Sequence, residues 1–174
     1  MSSLLLNLQP EILENDLIKL IPLREHHFEE LYNVASDPLI WEQHPIKDRH
    51  KEDVFKTFFD AGINAKSSFL ILDKKTGEII GTTRFYDYKP ESASVAIGFT
   101  FIGRKYWGGT YNQSVKKLLI DYAFQNVNSI LFHVGAENIR SQKAVLKLGA
   151  AKINEMNFPH NEIDILHYEY ELKK

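Results

Sequence analysis

Residues 95–149 constrain this chain most. They open with an apolar strand pattern, Val95-Ala96-Ile97-Gly98-Phe99-Thr100-Phe101-Ile102, followed by a turn, Tyr106-Trp107-Gly108-Gly109-Thr110-Tyr111-Asn112. A helix comes next, with Val115, Leu118, Leu119 and Tyr122 spaced to share one face. A second strand over 130–134 leads to Asn138-Ile139-Arg140-Ser141, where another helix opens. Its inward residues are Ala144, Val145 and Leu148, and Gly149 stands just past its end as a stop. Small residues at a strand-to-helix turn let main-chain N–H groups approach a ligand closely. The first amides of a helix have no internal partner, and the helix dipole favours negative charge there. Together these features predict a phosphate cradle. Paired glycines alone mark an ordinary loop, so the weight lies in the ordered set of elements. A nucleotide P-loop would continue to a second glycine followed by lysine and Ser/Thr, and the dinucleotide fingerprint would space three glycines; neither pattern is present.

The rest of the chain supplies a sheet and two further helices. A lead-in over 1–14, expected to be loosely held, precedes one domain over 15–174. A short strand over 17–23 is followed by a helix carrying Phe28, Leu31, Tyr32 and Ala35, which Ser36-Asp37-Pro38 stops. Residues 41–49 read as a polar-aromatic loop, and Val54, Phe55, Phe58 and Phe59 mark one face of a second helix. Strands over 68–73 and 78–86 flank a hairpin turn, Asp73-Lys74-Lys75-Thr76-Gly77. A turn over 87–94 joins them to the strand at 95, and two strands, 151–156 and 163–172, close the chain. This order predicts an α+β fold around one central sheet.

Composition removes several function classes. The 174 residues include no cysteine, which excludes disulfides, thiolate metal sites and a cysteine nucleophile, and fits a reducing compartment. Seven scattered histidines show no ligand spacing, so no metal is expected. A net charge of −2 argues against a general nucleic-acid binder. No apolar run approaches the ~20 residues that span a bilayer, and the first residues lack the basic start of an export signal. The expected location is the cytoplasm, with no membrane partner.

The motifs at 97–100, 106–112, 138–144 and 148–150 resemble the GNAT superfamily of acyl-CoA N-acyltransferases, and within it the ribosomal-protein acetyltransferase-like (RimJ/RimL) branch. The resemblance runs from about residue 16 onward. It implies a mixed, mostly antiparallel sheet, splayed between its two central strands and flanked by about four helices. It implies acetyl-CoA as co-substrate, its pyrophosphate on the amides of Trp107, Gly108, Gly109, Thr110, Tyr111 and Asn112. The superfamily's Gln/Arg-x-x-Gly-x-Gly/Ala reads Lys105-x-x-Gly108-x-Thr110 here, so the Thr110 hydroxyl either reaches phosphate or caps the helix. Residues 104–135 hold four basic side chains, Arg104, Lys105, Lys116 and Lys117, against one acidic, Asp121. With Arg140, Lys143 and Lys147 they are candidates for the adenosine 3′-phosphate or simply a solvated helix face.

The same resemblance lays the pantetheine arm between the splayed strands, on the backbone of Phe99, Thr100 and Phe101, whose amides would also polarise the thioester carbonyl. The side chains of Phe99, Phe101, Phe132 and Val134 read as core. Asn138 would bond the pantetheine, and Ser141 would be the catalytic acid for the leaving thiolate; both can also cap a helix. Many relatives carry a Glu base where this chain has Ala96, so the base is open among Glu42, His44, Asp87, Glu91, His133 and none. Residues 41–45 and 86–88 would wall the pocket for an amine acceptor, a small molecule or a protein N-terminus, and a homodimer is expected by analogy. The rival reading is a CoA-binding sensor without catalysis.

Overall fold

The computed structural model describes residues 5–174. One sheet holds eight strands: β1 (Leu13–Glu14), β2 (Ile18–Pro22), β3 (Ser68–Asp73), β4 (Ile79–Lys89), β5 (Ser94–Ile102), β6 (Ser129–Gly135), β7 (Ala151–His160) and β8 (Ile163–Lys173). Their order is β1-β2-β3-β4-β5-β6-β8-β7. Every pair is antiparallel except β5 with β6. The helices are α1 (Phe28–Ala35), α2 (Glu52–Ala65), α3 (Tyr111–Ala123) and α4 (Ile139–Lys147). The α+β architecture inferred from the sequence is the one observed.

Strands buried on both faces carry continuous apolar runs, and β3 shows why. Phe69 and Ile71 enter a core built with Val115 and Leu119 of α3 and Val145 of α4. Leu70, between them, enters a second core with Leu31 of α1 and Phe55 and Phe59 of α2. The sheet is therefore sandwiched between two helix layers. Each fully buried Phe or Leu contributes about 1.5–3 kcal/mol. Local signals end the elements as the sequence predicts. α1 stops at Ala35 before Asp37-Pro38, and the Asp37 side chain caps the short 3-10 turn that follows. Gly149 takes a positive φ of 93° just after α4.

Three expectations are corrected. Of the lead-in expected over 1–14, residues 1–4 lie outside the described residues, and residues 5–14 are not loose. Leu6 is 5% exposed within the core, its N–H donates to the Tyr88 hydroxyl, and the Tyr122 hydroxyl donates to the Asn7 carbonyl. The strand expected to end at residue 86 continues to Lys89, with Asp87 in a left-handed kink (φ 48°) and the turn shortened to the residues after it.

The third correction matters most. β5 is not a regular strand. Gly98 pairs with Arg84 and Phe101 with Thr82, so three steps on β5 face two on β4. Phe99 and Thr100 fall in this bulge without register partners, and Phe99 adopts φ 52°. An extra residue flips side-chain alternation beyond it. Val95 and Ile97 belong to the α3 side, whereas Phe101 turns to the α1/α2 side. Phe99 belongs to neither core and is 43% exposed.

Candidate active site

β5 and β6 pair only over Ser94–Ser129, Val95–Ile130 and Ala96–Leu131. Beyond Ala96 and Leu131 they diverge, so β5 from Ile97 onward lacks a β6 partner. The bulge has already removed the β4 partners of Phe99 and Thr100, leaving their main-chain groups outside the ladder on both sides. The gap opens into a cleft of about 670 Å³. Phe99, Thr100, Phe101, Trp107, Gly108, Gly109, Asn112, Asn138 and Ser141 all line it. Thr110 and Tyr111 do not; the Tyr111 ring packs on Tyr106, 4.8 Å away.

At one end of the cleft lies the turn before α3. A β-carbon built on Gly108 or Gly109 would meet nothing within 4 Å, so this backbone is open to close approach. Gly108 takes φ 73°, which glycine adopts without strain. The first intrahelical bond into α3 is Ser114 N–H to the Thr110 carbonyl, 2.8 Å, which leaves the amides of Tyr111 to Gln113 as the orphan donors of that helix. Thr110 makes no side-chain cap bond. Asn138, by contrast, does cap its helix: its Oδ1 accepts the Ser141 N–H at 3.2 Å.

The basic residues divide. Arg104 pairs with Asp37, Lys105 with Glu78 and Lys117 with Asp121, all at the surface away from the cleft. Lys143 and Lys147 line it. The Arg140 guanidinium stacks over the Trp107 ring, 3.8 Å from its centroid, and donates to the Ile40 carbonyl, tying the turn to the loop opposite. Lys116 is buried, its ammonium donating to Thr100 Oγ1 at 2.7 Å, and burial pushes its pKa down to about 7. No carboxylate pairs with it among the described residues.

The other end of the cleft sorts the proposed bases. Glu42, Asp87 and Glu91 are exposed and do not line it. His44 does, but burial and then the neighbouring Arg49 hold its pKa down to about 3, so it stays neutral and accepts no proton near neutrality. His133 is the remaining candidate, and it has two partners the sequence did not suggest as a set. The Tyr86 hydroxyl lies 2.6 Å from His133 Nδ1, and Glu169 Oε2 lies 2.7 Å from Nε2. The carboxylate fixes the proton on Nε2, so Nδ1 accepts from the tyrosine. Tyr86 stands directly across from Ala96 in the β4–β5 register. A β-carbon on Gly98 would come within 2.9 Å of the Tyr86 ring. The small residues at 96 and 98 on β5 thus make room for the ring of Tyr86, which reaches across from β4 beside the position where many relatives carry glutamate. Burial raises the Tyr86 pKa above its ordinary value.

The profile of the acetyltransferase (GNAT) domain matches residues 18–151, more than half of the chain. An uncharacterized N-acetyltransferase, p20, of Bacillus licheniformis is 32% identical over 103 residues, which cover 58% of this chain and 57% of that protein. A GCN5-related N-acetyltransferase from Brucella melitensis superposes with a TM-score of 0.81 at 17% identity, over 95% of this chain and 81% of that one. A spermidine N-acetyltransferase from Vibrio cholerae, solved with CoA and spermine, gives 0.70 at 17% identity, over 91% and 96%. At such identities the superpositions speak to the fold. The domain match over residues 18–151 makes this chain a member of the GNAT acetyltransferase family. Among the described residues no helix is long and apolar enough to cross a membrane.

Proposed function

We propose that this protein transfers an acetyl group from acetyl-CoA directly to a primary amine. The observation that carries this reading is the parting of β5 from β6 beside an open glycine turn. In this reading the pyrophosphate rests on the amides of residues 108–112, because the Trp107 N–H, expected to join them, already donates to the Arg104 carbonyl at 3.0 Å. The pantetheine arm extends β5 along its unpaired edge, with Asn138 beside it. Amides in the bulge at Phe99 and Thr100 receive the thioester oxygen as it becomes negative. The RimJ/RimL branch and a cytoplasmic location belong to the same reading.

Proton flow follows from the hydrogen bonds. The amine nitrogen attacks the acetyl carbonyl carbon, forming C–N as C–S breaks. One amine proton passes to the Tyr86 oxygen while the Tyr86 proton moves to His133 Nδ1. Glu169 stabilises the imidazolium from Nε2. Ser141 passes a proton to the departing thiolate and recovers one from water; a thiol of pKa ~8.5 leaves readily. The relay weighs against a sensor without catalysis, which would have no use for it.

Free-thiol release from acetyl-CoA over an amine panel tests this. The wild type is expected to turn over. Tyr86→Phe keeps the ring but should lower kcat about 100-fold or more with little change in KM, and Ser141→Ala should lower kcat more than it raises KM. Tight CoA binding with no turnover on any amine would support the sensor instead.

A further inference from the structure

Two buried arginines have no acidic partner near the acceptor end of the cleft: Arg49 lines it, and Arg84 lies behind Phe99, outside the lining. Arg49 is 8% exposed and Arg84 7%. Neither has a carboxylate within 4 Å among the described residues. The Arg49 guanidinium lies 4.5 Å from the centroid of Phe58 and 5.4 Å from that of Trp41. Its Nη1 donates to His44 Nε2 at 3.3 Å, and its Nε is buried with no partner. Arg84 lies 4.1 Å from the Phe99 ring centroid and 5.7 Å from that of Phe58, and its Nε donates to Ser68 Oγ. Both guanidiniums have their pKa lowered by burial, to about 10, and Arg49 is lowered further by Arg84. Asp48 offsets part of this, but no ion pair joins it to Arg49 among the described residues.

A buried charge is costly unless something pairs with it. Neutral His44 and ring faces do not neutralise a guanidinium. Arg49 lines the cleft together with Trp41, His44, Phe58 and Phe99, and Phe99 is the bulge residue beside which the amine would react. From this we infer that the acceptor is a carboxylate-bearing amine, an amino acid with an apolar side chain, whose carboxylate is received by Arg49. The guanidinium fork matches a planar carboxylate through two parallel N–H bonds. Trp41, Phe58 and Phe99 suit the apolar side chain. Arg84, behind Phe99, adds field of the same sign. A polyamine would instead bring a second cation towards two uncompensated ones. This inference rests on the acetyl-transfer reading for the position of the amine.

Matched substrates test it. L-phenylalanine is compared with phenethylamine and with L-phenylalaninamide, whose amines are respectively more and less basic; a preference over both is not one of basicity. The expected kcat/KM for phenylalanine exceeds each by about tenfold or more, and in Arg49→Met that ratio collapses towards one. Arg49→Lys, keeping charge but losing the fork, should fall between. Equal or better turnover of phenethylamine by the wild type overturns the carboxylate site while leaving acetyl transfer standing; so does a preference that survives Arg49→Met. If no amine is acetylated, calorimetry on the CoA-loaded protein decides. Binding of N-acetyl-L-phenylalanine but not N-acetylphenethylamine upholds the carboxylate site and rejects transfer, and binding of neither rejects the site.

Discussion

Lys116 shows how one side chain trades stability for a place in the cleft. In the second turn of α3, it reads from the sequence as a candidate for the adenosine 3′-phosphate or part of a solvated helix face. Its ammonium is instead buried on Thr100, with its pKa near 7. The ordinary value is 10.5, so between about pH 7 and about pH 10.5 the unfolded chain holds a proton that the folded one lacks. Stability should therefore rise with pH across that window, and the full penalty should remain below it. Lys116→Met removes the penalty and should stabilise the protein by about 1–4 kcal/mol near neutrality. Urea melts at about pH 6.5 and about pH 9.5 check the sign: the variant's advantage must shrink at the higher pH. An advantage independent of pH would contradict the assignment. Arg49 and the Tyr86–His133–Glu169 set were hidden in the same way. Tyr86 and His133 are 47 positions apart, and His133 and Glu169 are 36 apart, so only the sheet brings them together.

The elements were more legible than the contacts. Helices α1 and α4 could be read because apolar spacing agreed with end signals, Pro38 after α1, Asn138 before α4 and Gly149 after it, whereas α2 and α3 were read from spacing. The strands were legible as apolar runs, but the bulge in β5 was not. Val95, Ile97, Phe99 and Phe101 alternate as a regular strand would, and nothing in that pattern shows where a residue is extra. A left-handed Phe99 costs on the order of 1–2 kcal/mol, strain held where main-chain groups leave the ladder. The turn after β5 could be read in place, and its glycines are open as expected. There, Gly108→Asp should cost about 1 kcal/mol of stability, because the new residue must keep a positive φ. It should weaken CoA binding tenfold or more by setting a carboxylate beside the phosphates. Isothermal titration measures this; unchanged affinity would mean that the turn does not hold the diphosphate.

For the whole molecule, the arrangement of the sheet governs everything else. Among the described residues the sheet has seven strand junctions, and the parallel one is the junction that opens. Antiparallel hairpins β3–β4, β4–β5 and β7–β8 hold each side rigid, while helices on both faces seal the cores. The cleft is thus a product of topology: α3 crosses between β5 and β6, and its first turn arrives at the cleft mouth. The sequence carried that topology through the order of its motifs. Of the acceptor end, residues 41–45 and 86–88 were named through the family resemblance, but the parts from β6 and β8 lay beyond it, because no local pattern marks which distant strands meet. The most direct test of the account is a crystal structure with coenzyme A at saturation. The account predicts the diphosphate on the amides of residues 108–112 and the pantetheine along the free edge of β5, between it and β6. Coenzyme A bound at any other place, or not at all, would contradict it.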